Sequence, residues 1–287
     1  MTRRAPGGTV TRIGAALVAA GTARLVWHQL RERPPGGVDR WQRTNHRGEP
    51  ITLLEGPAAA LATVGALAVT PGLPPHLRAA GAVAGLGAGA FGLLDDLGER
   101  GSAKGLRGHL GALRRGEVTT GALKIAGIGA TGLLAGALAV RGRPPRATGV
   151  GRVVDLATAA ATIAGTANLV NLLDLRPGRA LKVVLAQSAA AVVPGPGGAI
   201  AAALGGTAAA LLPEDLGERA MLGDCGANAL GALAGTMVVA AAPGRVRLGV
   251  LGGVVALILA SEKVSFTKVI ESTPVLRELD ALGRRPR

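Results

Sequence analysis

"FGLLDDLGERGSAKG", Phe91 to Gly105, closes a long run of Ala, Gly, Val and Leu. Two adjacent aspartates stand where the run stops, and a basic stretch follows. About 20 apolar residues cross a bilayer as a helix, and charge resumes at the headgroups. The same pattern recurs on either side of this stretch. Only 17% of the 287 residues are charged, against about 25% in soluble domains. The mean hydropathy is +0.38, and the charges cluster between apolar runs. Those runs are built largely from Ala and from 46 Gly, as expected where helices in lipid pack backbone to backbone. The fold class expected is an all-α, polytopic membrane helix bundle.

Nine spans are expected, at about 9–27, 53–71, 77–94, 119–140, 149–171, 180–194, 196–212, 225–242 and 246–261, with ten the upper count. The sixth and seventh are short. "PGPGG", Pro194 to Gly198, divides them into a tight hairpin or breaks one segment. The basic, apolar N-terminus resembles a signal peptide, but its apolar stretch runs on to Trp27 and meets a basic loop, which favours a retained first span. The expectation is one integral membrane domain over 1–287, with 262–287 as a cytoplasmic amphipathic tail. Placing the Asp95 loop inside the cell puts 20 Lys and Arg on the cytoplasmic side and ten outside. That is the bias the positive-inside rule requires. A multi-pass membrane protein is implied, with its polar site facing the cytoplasm.

The net charge of +14 does not point to nucleic acid: there is no basic helix, and two Phe, two Trp and no Tyr offer no stacking platform. Basic loops instead orient the chain and meet anionic lipid or substrate. Trp27 is the one obvious interface anchor. Cys225 alone excludes an internal disulfide and a CxxC metal knuckle, and is expected to pack as a small apolar residue.

The acids then sort to one side. Asp95 and Asp96 end the third span, Asp174 ends the fifth and Asp224 opens the eighth. Asn168, Asn171 and Asp174, spaced three apart, share a helix face. Each has a bland alternative: a solvated helix end for the Asp pair, interhelical hydrogen bonds for the asparagines, an N-cap for Asp224. Their common side argues for a shared site. Separated carboxylates suit Mg²⁺, which takes one or two of them together with phosphate oxygens and water. Lys104, Arg107, His109, Arg176 and Arg179 lie in the neighbouring basic stretches and suit a diphosphate. Lys124, a bare charge just inside the fourth span, needs an anionic partner.

The order "FGLLDD", "NLVNLLD", "LGDCGAN" resembles the polyprenyl-phosphate N-acetylhexosamine-1-phosphate transferases, among them the phospho-N-acetylmuramoyl-pentapeptide transferase of peptidoglycan synthesis. "NHRGEP", 45–50, resembles the family's first cytoplasmic loop near a substrate entrance, which brings in Asn45 and Arg47. The resemblance covers about residues 40 to 235. It implies Mg²⁺-dependent transfer of a sugar-1-phosphate from a UDP-sugar to a polyprenyl phosphate, with release of UMP, in cell-envelope synthesis. Carried over, Asp224 is the Mg²⁺ ligand. Asp95 and Asp96 lie by the lipid phosphate, one of them deprotonating it or helping to place the metal, with Asp95 the one counted beside Asp224 as a metal residue. Asn171 and Asp174 contact the nucleotide or diphosphate, and Lys104 and Lys124 partner phosphate, with Asn168, His109, Arg176 and Arg179 counted beside them as substrate-binding candidates.

The sequence departs from the family where Leu175 and Pro177 replace a Gly and a second Asp. It also lacks the family's His-rich C-terminal loop and is about one span shorter. These departures motivate a second reading, a non-catalytic relative that binds the lipid carrier or scaffolds envelope enzymes. A transporter is a third reading, disfavoured because the carboxylates lie at one surface rather than at midplane. The tail reads as an interfacial segment or, preferably, a cover over the cytoplasmic loops. Small-residue faces permit a homodimer.

Overall fold

A computed structural model describes residues 8–98, 119–142 and 148–286. Almost every apolar run becomes a helix, since buried Ala and Leu stretches lose little rotamer freedom there. The helices are α1 (Thr9–Glu32), α2 (Glu55–Val69), α3 (Pro75–Gly98), α4 (Thr120–Ala139), α5 (Gly149–Leu173), α6 (Arg179–Ala191), α7 (Pro196–Leu216), α8 (Gly223–Ala241) and α9 (Gly244–Ser261). Two short helices follow in the tail, α10 (Phe266–Ser272) and α11 (Pro274–Ala281).

Among the described residues, seven helices are long and apolar enough to cross a membrane: α1, α3, α4, α5, α7, α8 and α9. The chain is thus a helical, multi-pass membrane bundle. The two remaining expected spans form shorter helices. At 1.5 Å per residue the 15 residues of α2 reach about 22 Å, against about 30 Å of hydrocarbon. With 13 residues α6 is shorter still and amphipathic: Leu181 and Val184 are buried, while Lys182 turns to the tail. The "PGPGG" stretch is a hairpin. Gly195 at φ 122° reverses the chain, Pro196 opens α7, and α6 packs back along it.

Helix α8 is the axis of the bundle, in contact with α2, α3, α5 and α7. Its near-continuous burial follows from its small residues. A Cβ on Gly231 would stand 2.6 Å from the Ala167 Cα, and one on Gly235 2.6 Å from the Ile163 Cα. These two glycines, one turn apart, let α5 lie directly on α8. The first helix belongs to the same assembly: α1 packs on α7 and α2. Trp27, expected at the interface, is instead in the core with the Arg31 guanidinium over its ring. Within α3, Val83–Gly87 forms one π-turn, a device that re-aims the residues beyond it.

The loop after α1 carries the only described sheet, an antiparallel hairpin of β1 (Gln42–Thr44) and β2 (Pro50–Thr52). Its turn is built by Asn45, whose Oδ1 accepts from the backbone N–H groups of Arg47 and Glu49 at 2.8 and 2.9 Å. Thr52 bridges to Ala220, which ties the hairpin to the segment just before α8.

Candidate functional site

Four helix ends meet at one end of the bundle: the C-termini of α3 and α5 and the N-termini of α4 and α8. Thr119 caps α4, its hydroxyl accepting from Ala122 N at 3.1 Å, and so sets Lys124 one turn into the helix. The Lys124 ammonium bonds Asp95 Oδ2 at 2.6 Å and also bonds Asp224 Oδ2. Asp95 is within hydrogen-bond reach of both Asp224 and Thr120. Two carboxylates this close repel unless a proton or a cation lies between them, and Lys124 supplies the cation. The three side chains are 16% (Asp95), 18% (Lys124) and 26% (Asp224) exposed. They are therefore reachable from outside but shielded enough for strong electrostatics.

Asp96, one residue on, does something else. Its Oδ1 accepts from Asp224 N at 3.0 Å and its Oδ2 from Cys225 N at 2.9 Å. The carboxylate thus caps α8 from another helix, satisfying orphan N–H groups and matching the positive end of the dipole. Asp174 accepts from the preceding N–H, that of Gly223. Three successive donors at the start of α8 are therefore held by two carboxylates from α3 and the end of α5. Two close approaches require glycine. Gly223 sits at φ 58°, and a Cβ on Gly92 would collide with the Asp224 carbonyl oxygen. Burial holds the Asp174 carboxyl well above the usual aspartate range, and Asp215, Asp224 and Asp96 push it the same way against the Gly223 N–H.

Behind Asp174 lie two acids that sequence reasoning missed. Glu55, at the start of α2, is fully buried and Asp215 is buried; among the described residues neither Glu55 carboxylate oxygen has a hydrogen-bond partner, nor does Asp215 Oδ2. Both are close enough to Asp174 for their charges to act on it. Asn228, also missed, fixes the first turn of α8 by donating to the Asp224 carbonyl at 2.7 Å. The available signal was acids standing at the edge of apolar runs, in "LLEGPAAA" and "LLPEDLG".

Other expected site residues take different places. Besides building its turn, Asn45 donates to Glu218 Oε2 at 2.9 Å, and Arg47 pairs with Glu218 Oε1 at 3.0 Å. Both therefore fasten the hairpin to the loop before α8. Arg179 is buried and forms a two-pronged pair with Asp280 of the tail, at 2.8 and 3.0 Å. Arg176 is half-buried beside it, Asn171 is half-buried and Asn168 is exposed. Lys104 and His109 lie outside the described residues. Cys225 is buried, as its apolar character leads one to expect.

The donor set at Asp95 and Asp224 fits Mg²⁺: two hard carboxylates meet where the Lys124 ammonium stands, and with a metal in that place phosphate oxygens and water would complete the usual shell while Lys124 turned to the phosphate. Among the described residues, no group of three or more His, Cys, Asp or Glu is arranged to hold a metal by itself. Fold and site together define a multi-pass helical membrane protein with an acid–lysine site at one end of the bundle. No protein-family model matches the chain, and no curated protein matches it.

Proposed function

We propose that this protein is a Mg²⁺-dependent membrane transferase that moves a sugar-1-phosphate from a UDP-sugar to a polyprenyl phosphate, releasing UMP. It would serve cell-envelope glycan synthesis as a divergent relative of the polyprenyl-phosphate N-acetylhexosamine-1-phosphate transferases. The observation that carries this reading is the contact of Lys124 with both Asp95 and Asp224. Residues from separate sequence elements, 29 and 100 positions from the lysine, make one compact charged site. Asp95 and Asp224 would hold Mg²⁺, which when bound neutralises diphosphate charge and polarises the phosphoryl group. Lys124 would stabilise charge on the leaving UMP. Asp96 and Asp174 would position rather than react, by gripping the end of α8 that carries Asp224. In the full reading α2 and α6 count as the second and sixth of nine passes, and the site faces the cytoplasm of the plasma membrane.

Purified protein given Mg²⁺, polyprenyl phosphate and a panel of UDP-sugars is expected to release UMP with at least one sugar. No release with any of them sinks the transferase reading. The non-catalytic alternative, a lipid-carrier-binding or scaffold protein, is favoured by Leu175 and Pro177. It predicts polyprenyl phosphate binding without UMP release.

A further inference from the structure

The tail does not lie flat on the bundle. Between it and α6–α7 is a cavity of about 560 Å³, within the roughly 300–1,000 Å³ range of sites that hold organic ligands. Leu185, Leu212 and Leu216 wall it from the bundle, and Leu276, Leu279 and Leu282 from the tail. Leu212 and Leu216 end α7, a helix long and apolar enough to cross a membrane, so the apolar wall of the cavity continues that of a spanning helix. Water has few polar partners there and would be poorly held.

One end of the cavity is charged. Lys182 Nζ donates to the carbonyls of Leu279 and Asp280 at 3.0 and 2.7 Å. Its third N–H has no partner among the described residues. Arg284 Nη2 stands 2.7 Å from Asp280 Oδ1, beside the Arg179–Asp280 pair. Arg179 and Lys182 thus line the cavity beside Asp280, with Arg284 on the far side of that carboxylate, an excess of positive charge beside an apolar chamber.

We propose that this cavity holds one hydrocarbon chain of an anionic bilayer phospholipid, with the lipid phosphate on Lys182. The tail is then a lipid-filled strap over the membrane face, a role independent of transferase chemistry. The partner is fixed by two features of the structure: continuity of the apolar wall with a spanning helix, and the Lys182 ammonium in the cavity wall.

The test uses the full chain, purified in mild detergent, stripped of lipid and titrated with phosphatidylglycerol or phosphatidylcholine. Bound lipid is counted by native mass spectrometry, and melting is followed alongside. Phosphatidylglycerol is expected to bind at roughly one per chain and to raise the melting temperature, with phosphatidylcholine about tenfold weaker. Ala186→Trp fills the cavity without touching any tail hydrogen bond, and should abolish retention while helicity and elution are unchanged. Lys182→Gln should narrow the preference between the two lipids several-fold. The proposal is overturned if Ala186→Trp retains lipid as the wild type does, or if both lipids bind equally. It is also overturned if inorganic phosphate alone reproduces the stabilisation, or if polyprenyl phosphate displaces phosphatidylglycerol at equal concentration.

Discussion

Asp95 and Asp96 are neighbours in sequence, yet the structure gives them separate tasks, and mutating each in turn makes that division measurable. Asp96→Ala removes the acceptor of two backbone N–H bonds at 3.0 and 2.9 Å. Losing an N-cap costs about 0.5–2 kcal/mol, and each bond to a charged acceptor contributes about 1.5–3 kcal/mol. With water partly replacing the lost carboxylate, the expected destabilisation is about 2–4 kcal/mol. Asp96→Asn keeps one acceptor but turns an amide N–H₂ toward the other donor, so roughly half the loss is expected. Asp95→Ala removes one partner of a lysine that retains Asp224, at a partly hydrated position. Its cost is expected to be about 1 kcal/mol or less. Reversible unfolding in mixed micelles, titrated with dodecyl sulfate and followed by circular dichroism, reads these differences directly. Equal destabilisation by the two alanine variants, or an Asp96→Ala protein as stable as the wild type, would refute the capping role.

Three further outcomes are expected. Lys124→Met leaves Asp95 and Asp224 facing each other without their cation, so turnover should fall by about 10²-fold or more, whereas Lys124→Arg should restore part of it; wild-type turnover in the methionine variant would contradict the site. Gly231→Ala sets a methyl 2.6 Å from the Ala167 Cα and should destabilise by about 1–3 kcal/mol in the same unfolding assay, while Gly249→Ala, with open space around it, should be nearly neutral. Asp174 has its folded pKa raised above the ordinary 3.8, so the folded state favours the neutral acid. Its contribution is complete below 3.8 and is lost as pH rises toward the folded value; Asp174→Asn, which mimics the neutral form, should flatten the decline of stability with rising pH, and an unchanged pH profile would count against burial as the cause.

The helices were legible because apolar runs ended by charge leave few other arrangements in lipid, and the observed ends fall close to the expected ones. What the runs did not reveal was depth. The second is as apolar as the others but yields 15 residues, and the sixth yields 13 and is amphipathic, with Arg179 and Lys182 turned to the tail. The grouping of Asp95, Lys124 and Asp224 on one side was readable from where the runs stop. The division of labour between Asp95 and Asp96 was not. Successive helical residues point about 100° apart, and the π-turn at Val83–Gly87 shifts the register before them. Asn45, Arg47 and Arg179 carry the residue types of a phosphate site, yet their hydrogen bonds go to a turn, to Glu218 and to Asp280. Those partners are distant in sequence and invisible to spacing. Glu55 and Asp215 were missed for the opposite reason: acids at the edge of apolar runs read as solvated ends, and only the folded bundle places them in its interior.

The central claim is that Asp95 and Asp224, joined by Lys124, form the reacting end of a sugar-phosphate transferase. Its most direct test is UMP release by the wild type beside folded Asp95→Asn and Asp224→Asn proteins, at saturating Mg²⁺, polyprenyl phosphate and UDP-sugar. The account predicts release by the wild type and a fall of at least about 10²-fold in both variants, with unfolding midpoints little changed. Release undiminished in Asp224→Asn would contradict it.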